Sequence, residues 1–116
     1  MINISKLFLF WLIGKKTYNT KDFSSNSIYK YSVFLSYFFG NSSNFSISGV
    51  RMMQRFYCYF PIFISAMNQL TWEHYIELVK ISDCFERYFY FRVAIFCRSS
   101  VFDLKNMIVN NTYNLI

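Results

Sequence analysis

The sequence is poor in the residues that break regular structure, since only three glycines and one proline occur in 116 residues. So few breakers in a chain that is 54% hydrophobic favour long helices over short strands joined by tight turns. The three cysteines, Cys58, Cys84 and Cys97, are an odd number and have no CxxC spacing. They predict reduced thiols in a cytoplasmic protein rather than a disulfide framework.

Acidic residues and histidine are also scarce, with six acids and a single histidine, His74. An acid–base or nucleophilic site needs a base oriented by a third group, and only His74 could be that base. Its position, three residues after Thr71, predicts the first turn of a helix with His74 near the surface; a catalytic or metal-binding histidine is the alternative. Cys84 and Cys97 lie near opposite ends of one predicted helix and so cannot share a metal ion. We expect no cofactor, no metal and no enzymatic activity.

The few acids are placed unevenly along the chain. Residues 1–60 contain one acid, Asp22, and therefore carry the whole formal charge of +6, whereas residues 61–116 are balanced. The basic residues of the first half are Lys6, Lys15, Lys16, Lys21, Lys30, Arg51 and Arg55. Binding of a polyanion is therefore expected mainly in the first half.

Long hydrophobic runs are absent as well. The most apolar stretch, Leu7 to Gly14, is bracketed by lysines and is far shorter than the roughly 20 residues that a spanning helix needs. A signal peptide would be followed by a cleavage site of small residues, and no such site follows this stretch. The stretch therefore predicts a buried helix face in a protein without a membrane partner.

What is present is a series of helix signals, which predict an all-α fold: a compact bundle of about five or six helices in one domain, residues 1–116. Gly40 suits the left-handed conformation at the end of the second helix. Pro61 ends the third helix at the residue that precedes it. Thr71 and Ser100 have the positions of caps. The predicted helices are Ile2–Tyr18, Ser27–Phe39, a third from a cap at Asn44 or Ser46 to Phe60, a fourth from Thr71 to Ile81, Asp83–Phe96 capped by Ser82, and a last from Ser100 toward Tyr113.

The second and third predicted helices have the outline of a helix-turn-helix, in which the second helix enters the major groove of DNA. Arg51 and Arg55 are one turn apart on the third helix, and Ser48 and Tyr59 extend their stripe. A solvated face of an ordinary bundle fits the composition about equally well, and the basic first half favours nucleic acid. The candidate DNA contacts are Lys15, Lys16, Ser46, Ser48, Arg51, Gln54 and Arg55.

Four blocks, in order along nearly the whole chain, form a recognisable pattern. The first is LFLFWLIGKK, which ends in I-G-K, and the second is FSISGVRMMQRFYCYFP. The third, QLTWEHYIELVKISDCFERYFY, contains Trp72, His74 and Arg87, and the fourth is RVAIFCRSSVFDLKNMIVNNTYNLI. Together they resemble the N-terminal domain of the YhcG-like family of bacterial nucleases. The chain departs from the usual family pattern at Gly49, where Asn is common, and at Gln54, where Arg is common.

The resemblance implies a helical, DNA-associated domain that precedes a nuclease domain of the PDDEXK type. Because the chain ends where that nuclease domain would begin, we expect a non-catalytic module that binds DNA or positions a nuclease domain. Its expected partners are DNA, a nuclease domain or partner subunit, and a second copy of itself. A protein-interaction module, or a truncated family remnant without DNA binding, is the alternative.

Overall fold

The computed structural model describes residues 5–19 and 25–115, and over those ranges it contains six α-helices and no β-strand. The predicted all-α fold class is therefore confirmed. The chain divides into two compact units, Met1–Phe63 and Ile64–Ile116. The single domain expected over residues 1–116 stays a prediction.

The first unit contains three helices: α1 (Lys6–Asn19), α2 (Ser25–Phe39) and α3 (Ile47–Tyr59). The start of α1 predicted at Ile2 lies outside the described residues, as does Lys21. Gly40 ends α2 with a φ of 85°, the left-handed conformation that glycine adopts without a steric penalty. A single 3₁₀ turn, Ser43–Phe45, then leads into α3.

The apolar stretch from Leu7 to Gly14 forms the buried side of α1, as predicted. The indole N–H of Trp11 donates a 2.7 Å hydrogen bond to the carbonyl oxygen of Phe60, so this buried ring has its polar atom satisfied. No described helix is long and apolar enough to cross a membrane. Among the described residues of this unit, the buried apolar ones are Leu7, Phe10, Trp11, Ile13, Ile28, Leu35, Phe45, Val50, Met53 and Phe56.

The second unit contains α4 (Trp72–Leu78), α5 (Cys84–Phe96) and α6 (Val101–Val109), preceded by a 3₁₀ segment, Ser65–Gln69. Its core is made of Met67, Leu70, Trp72, Tyr75, Leu78, Val79, Ile81, Tyr90, Phe91, Ala94 and Leu104.

Two boundaries in this unit differ from the prediction. Helix α4 ends at Leu78 rather than Ile81, because the N–H groups of Lys80 and Ile81 bond three residues back and tighten the chain into a turn. Helix α5 is capped by Asp83 rather than Ser82, since the Asp83 carboxylate accepts from the N–H of Phe85 at 3.2 Å.

The end of the chain is also shorter in α-helix than predicted. Ser100 caps α6 as expected, its hydroxyl accepting from the N–H of Asp103 at 3.0 Å. The helix ends at Val109 because Asn111 has a φ of 57°, which an α-helix cannot accommodate. A 3₁₀ turn, Thr112–Leu115, follows it.

Candidate nucleic-acid interface

Helix α3 begins at a side-chain cap. The Ser46 hydroxyl accepts from the N–H of Gly49 at 3.1 Å, so the predicted cap is confirmed at Ser46 rather than Asn44. The same hydroxyl lies 3.3 Å from that of Ser48. Ser46 was expected to contact DNA, and the structure uses its oxygen to start the helix.

Beyond its cap, α3 has two different faces. Val50, Met53 and Phe56 are fully buried and hold the helix against the rest of its unit. Ser48, Arg51, Arg55 and Cys58 are exposed and follow one another at helical spacing, as predicted for the first three. We call these four residues the α3 stripe. It presents two guanidinium groups one turn apart on a helix whose opposite side is anchored.

Helix α1 supports α3 through a close approach at Gly14. A β-carbon at position 14 would lie 2.5 Å from the carbonyl carbon of Met53 and would overlap its oxygen, so only glycine fits there. Tyr18 follows Gly14 by one helical turn, and its ring centroid lies 5.7 Å from that of Tyr57 on α3. The close crossing thus brings the last turn of α1 beside α3.

An open cavity of about 330 Å³ lies where α1 meets α3. It is lined by Tyr18, Arg51, Gln54, Arg55, Cys58 and Tyr59. The structure therefore brings together Arg51, Gln54 and Arg55, three of the predicted DNA contacts. We call this the Gln54 cavity.

Gln54 differs from the two arginines of the cavity in its burial. Only 7% of its surface is exposed, and its side-chain nitrogen has no hydrogen-bond partner among the described residues. Its amide is therefore not part of the α3 stripe. The nitrogen is covered by other atoms, so a ligand in the cavity reaches it only when the side chains that line the cavity move.

The remaining predicted contacts, Lys15 and Lys16, are exposed at the end of α1. The Lys15 ammonium lies 5.3 Å from the centre of the Trp11 ring, a cation–π contact that orients it along its own helix. Neither lysine lines the Gln54 cavity. They add positive charge to the unit that contains the α3 stripe.

Two residues of the cavity, Tyr18 and Cys58, were not predicted. Tyr18 lies one helical turn after Gly14 on α1, and this spacing places both residues on one face of the helix. The sequence does not show that this face of α1 crosses α3. Cys58 lies one turn after Arg55, and the sequence predicts only a reduced thiol at this position. All three cysteines are free and exposed.

His74 in the second unit has a structural position. Its Nδ1 accepts from the backbone N–H of Thr71 at 3.0 Å and lies 2.8 Å from the Thr71 hydroxyl. Because a backbone N–H can only donate, the ring proton lies on Nε2, which donates to the carbonyl of Ser99 at 2.8 Å. The prediction of a helix start is confirmed, but that of a surface histidine is wrong, because these bonds hold the ring inside the unit.

The other two family-motif residues, Trp72 and Arg87, are also buried. Trp72 lies on the buried side of α4 with Tyr75, as predicted. Arg87 is buried on α5, and its guanidinium donates to the carbonyl oxygens of Ile81 and Ser82. Arg87 therefore secures the turn between α4 and α5. Among the described residues, no group of three or more His, Cys, Asp or Glu could hold a metal ion.

The four sequence blocks lie within a stretch that matches the model of a known protein family. The model of the DUF1016 N-terminal domain matches residues 1–115. The chain belongs to the DUF1016 N-terminal domain family. This is the N-terminal domain of the YhcG-like family, so the resemblance is confirmed. Comparison with curated proteins and with solved structures gives no significant match.

The structure gives physical reasons for the sequence blocks of this DUF1016 N-terminal domain. Gly14 of the I-G-K segment permits the contact with α3. His74 of the third block joins the start of α4 to Ser99, before α6. The Arg87 guanidinium donates a hydrogen bond to the carbonyl oxygen of Ile81, in the turn before α5. These residues hold the fold, whereas the α3 stripe and the Gln54 cavity expose groups that a partner could reach.

Proposed function

We propose that this DUF1016 N-terminal domain is a non-catalytic, cytoplasmic DNA-binding module, and that the α3 stripe is its DNA contact. The observation that carries the proposal is the pair Arg51 and Arg55, exposed one turn apart on a helix anchored by its opposite face. Guanidinium groups donate to phosphate oxygens in a planar fork, and they also read guanine in the major groove. In a family member that carries a nuclease domain, the module would position that domain on DNA.

The charge distribution of the first unit supports binding of a polyanion. Of the basic residues in the first 60 positions, Lys15 and Lys16 are exposed on α1, and Lys30 is exposed on α2. Their field attracts a polyanion over a distance of about one Debye length, about 10 Å at moderate salt. In this proposal the lysines strengthen attraction without sequence preference, while the α3 stripe makes the close contacts.

Helix α2, the connection of residues 40–46 and α3 follow one another in the order of a helix-turn-helix, with a longer connection than the usual three to four residues. In that arrangement α3 is the helix that enters the major groove, and Ser48, near its first turn, can donate to a phosphate or a base edge. Binding of this kind depends strongly on salt, because each neutralised phosphate releases counterions.

The proposal of a non-catalytic role rests on His74. Both ring nitrogens of this histidine are engaged in bonds to Thr71 and Ser99. A general base needs one nitrogen able to exchange a proton with a substrate. In this chain the histidine is therefore assigned to the fold.

A duplex-binding titration with the full chain tests the proposal. Binding should be clear at about 50 mM salt and should weaken steeply by about 200 mM. Arg51→Ala and Arg55→Ala should each weaken binding and reduce the salt slope by about one. Arg92→Ala removes the same charge from an exposed position of the second unit and serves as the matched control. No binding above background at the lower salt concentration would reject the proposal.

A second candidate function is association with a protein partner, either a second copy or a subunit that carries a nuclease domain. It is favoured by an exposed and mainly apolar face on α2, where a cavity of about 420 Å³ is lined by Tyr29, Lys30, Val33, Phe34 and Tyr37. Light scattering after size exclusion would support it by detecting a dimer that Tyr37→Ser dissociates. Arg51→Ala would leave such a dimer intact.

A further inference from the structure

The Gln54 cavity contains a polar group whose bonding is incomplete. The side-chain nitrogen of Gln54 is buried and has no hydrogen-bond partner among the described residues. Leaving a buried donor unpaired is unfavourable, and buried polar groups in folded proteins nearly always have a partner. Because this nitrogen also has almost no accessible surface, a ligand in the cavity supplies an acceptor to it only when the side chains that cover it move aside.

The rest of the lining restricts the chemistry of that ligand. None of the six described residues around the cavity is acidic, and two of them, Arg51 and Arg55, carry positive charge. The ligand is therefore expected to be an anion, and guanidinium groups suit phosphate in particular. A phosphate alone would not need a cavity of about 330 Å³, which lies within the range of small-molecule sites.

The lining also contains two tyrosines, Tyr18 and Tyr59, whose aromatic rings have no role in binding a phosphate. Aromatic rings stack on nucleobases, and stacking tolerates any base because every base has a π-face. An amide such as that of Gln54 donates to acceptors on a base edge. Phosphate, a flat ring and an acceptor on its edge occur together in a nucleotide.

We propose that the Gln54 cavity takes one unstacked nucleotide of a DNA strand. Arg51 and Arg55 bind its phosphate, a tyrosine ring stacks on its base, and the Gln54 amide donates to the base edge. The inference rests on the proposed DNA binding and deepens it, because it names the form of DNA. A base inside an intact duplex is stacked and paired, so the module should prefer DNA with an unpaired nucleotide, such as a bulge, a gap or a flap.

Two duplexes of the same sequence test this inference, one with a single bulged nucleotide and one without it. The full chain should bind the bulged duplex about tenfold more tightly, the effect expected for one added hydrogen bond and partial stacking. Gln54→Met, which keeps the length of the side chain, should abolish this preference and leave binding of the intact duplex unchanged. Gln69→Met, at an exposed position of the second unit, is the matched control and should change neither.

The thiols of the chain give an independent readout of occupancy. Cys58 lines the cavity, whereas Cys84 and Cys97 are exposed elsewhere. The bulged duplex should slow alkylation of Cys58 by a maleimide, measured for each peptide by mass spectrometry, and should leave Cys84 and Cys97 reactive. The same measurement with a free deoxynucleoside monophosphate distinguishes a nucleotide within a strand from a free one. Equal protection by both at equal concentration would contradict the assignment to a DNA strand.

The outcomes separate the inference from the function on which it rests. If both duplexes bind equally and Gln54→Met has no effect, the inference is wrong while DNA binding stands. If neither duplex binds at low salt, DNA binding itself is rejected. A preference for the bulge that persists in Gln54→Met would overturn the role of this amide.

Discussion

The α-carbon of Gly14 on α1 lies against the backbone carbonyl of Met53 on α3, at a distance that leaves no room for a side chain. Both groups that meet there belong to helix backbones, so neither can move by changing a rotamer. The residue after Met53 is Gln54, and the residue one turn after Gly14 is Tyr18. The contact that packs the first unit therefore also sets the width of the cavity between α1 and α3.

Replacement of Gly14 by alanine should destabilise the protein. In the middle of an ordinary helix this change is stabilising by about 0.5–1 kcal/mol, because glycine loses more backbone entropy on folding. Here the added carbon would overlap Met53, and we expect a loss of at least about 3 kcal/mol in the free energy of unfolding, at the upper end of overpacking effects. Urea unfolding measures the change.

A matched glycine makes the Gly14 experiment specific. Gly40 has a φ of 85° and no atom within 4 Å of an added β-carbon, so Gly40→Ala introduces backbone strain without a clash. Its cost should be about 1–2 kcal/mol. Unfolding of Gly14→Ala at the same or a higher urea concentration than the wild type would show that Met53 does not exclude a side chain at position 14.

His74 should prove necessary for stability and dispensable for DNA binding. His74→Ala removes the bonds to Thr71 and Ser99, and we expect a loss of about 2–4 kcal/mol in unfolding free energy. His74→Gln should recover part of it, because glutamine at this position can accept from the helix start as in a capping box. Urea unfolding and a duplex titration check the two effects. Loss of DNA affinity in a variant of unchanged stability would assign His74 to a functional site.

The sequence predicted well those features that depend on a few adjacent residues. Gly40, Thr71 and Ser100 were assigned to helix ends, and each lies at one in the structure. Ser46 was one of two candidate caps and is the one used, whereas the cap predicted at Ser82 lies one residue later, at Asp83. A cap joins groups only two or three residues apart, so its signal is contained in a short window. The buried side of α1 was predictable for the same reason, because helical periodicity repeats within a few turns.

What the sequence did not predict depends on contacts between distant segments. His74 was expected at the surface because its partner Ser99 lies 25 residues away. The Gln54 cavity escaped prediction because Tyr18 reaches Arg51 and Arg55 only through the crossing at Gly14. Spacing within one helix identifies a face of that helix, but it does not identify the helix that covers it.

Tyr75 should make the protein sensitive to alkali. Burial raises the pKa of its phenol above the ordinary value of 10.0, because the phenolate would lose its hydration in the core. Above about pH 10 the unfolded chain releases this proton while the folded chain keeps it, so stability is complete below that pH and falls above it, by up to about 1.4 kcal/mol per pH unit. Urea unfolding at a series of alkaline pH values measures the slope.

Tyr75→Phe should flatten this dependence, because phenylalanine has no proton to release. At neutral pH it should cost about 1 kcal/mol for the 2.7 Å hydrogen bond from the phenol to the carbonyl of Met67. That carbonyl also accepts from the N–H of Leu70, so the substitution leaves it with a partner. Tyr88→Phe removes an exposed phenol and serves as the control. An unchanged alkaline slope in Tyr75→Phe would show that another group causes the loss of stability.

Substitutions of the two serines at the start of α3 should have different effects, one on stability and the other on DNA binding. Ser46→Ala removes the cap and should lower the unfolding free energy by about 1 kcal/mol. Ser48→Ala removes an exposed hydroxyl of the α3 stripe and should leave stability within about 0.5 kcal/mol of the wild type. If the stripe contacts DNA, Ser48→Ala should weaken duplex binding without changing the salt slope, because an uncharged contact releases no counterion. Urea unfolding and salt-dependent duplex titrations of both variants measure these effects. Wild-type affinity in Ser48→Ala would place the DNA contact away from the first turn of α3.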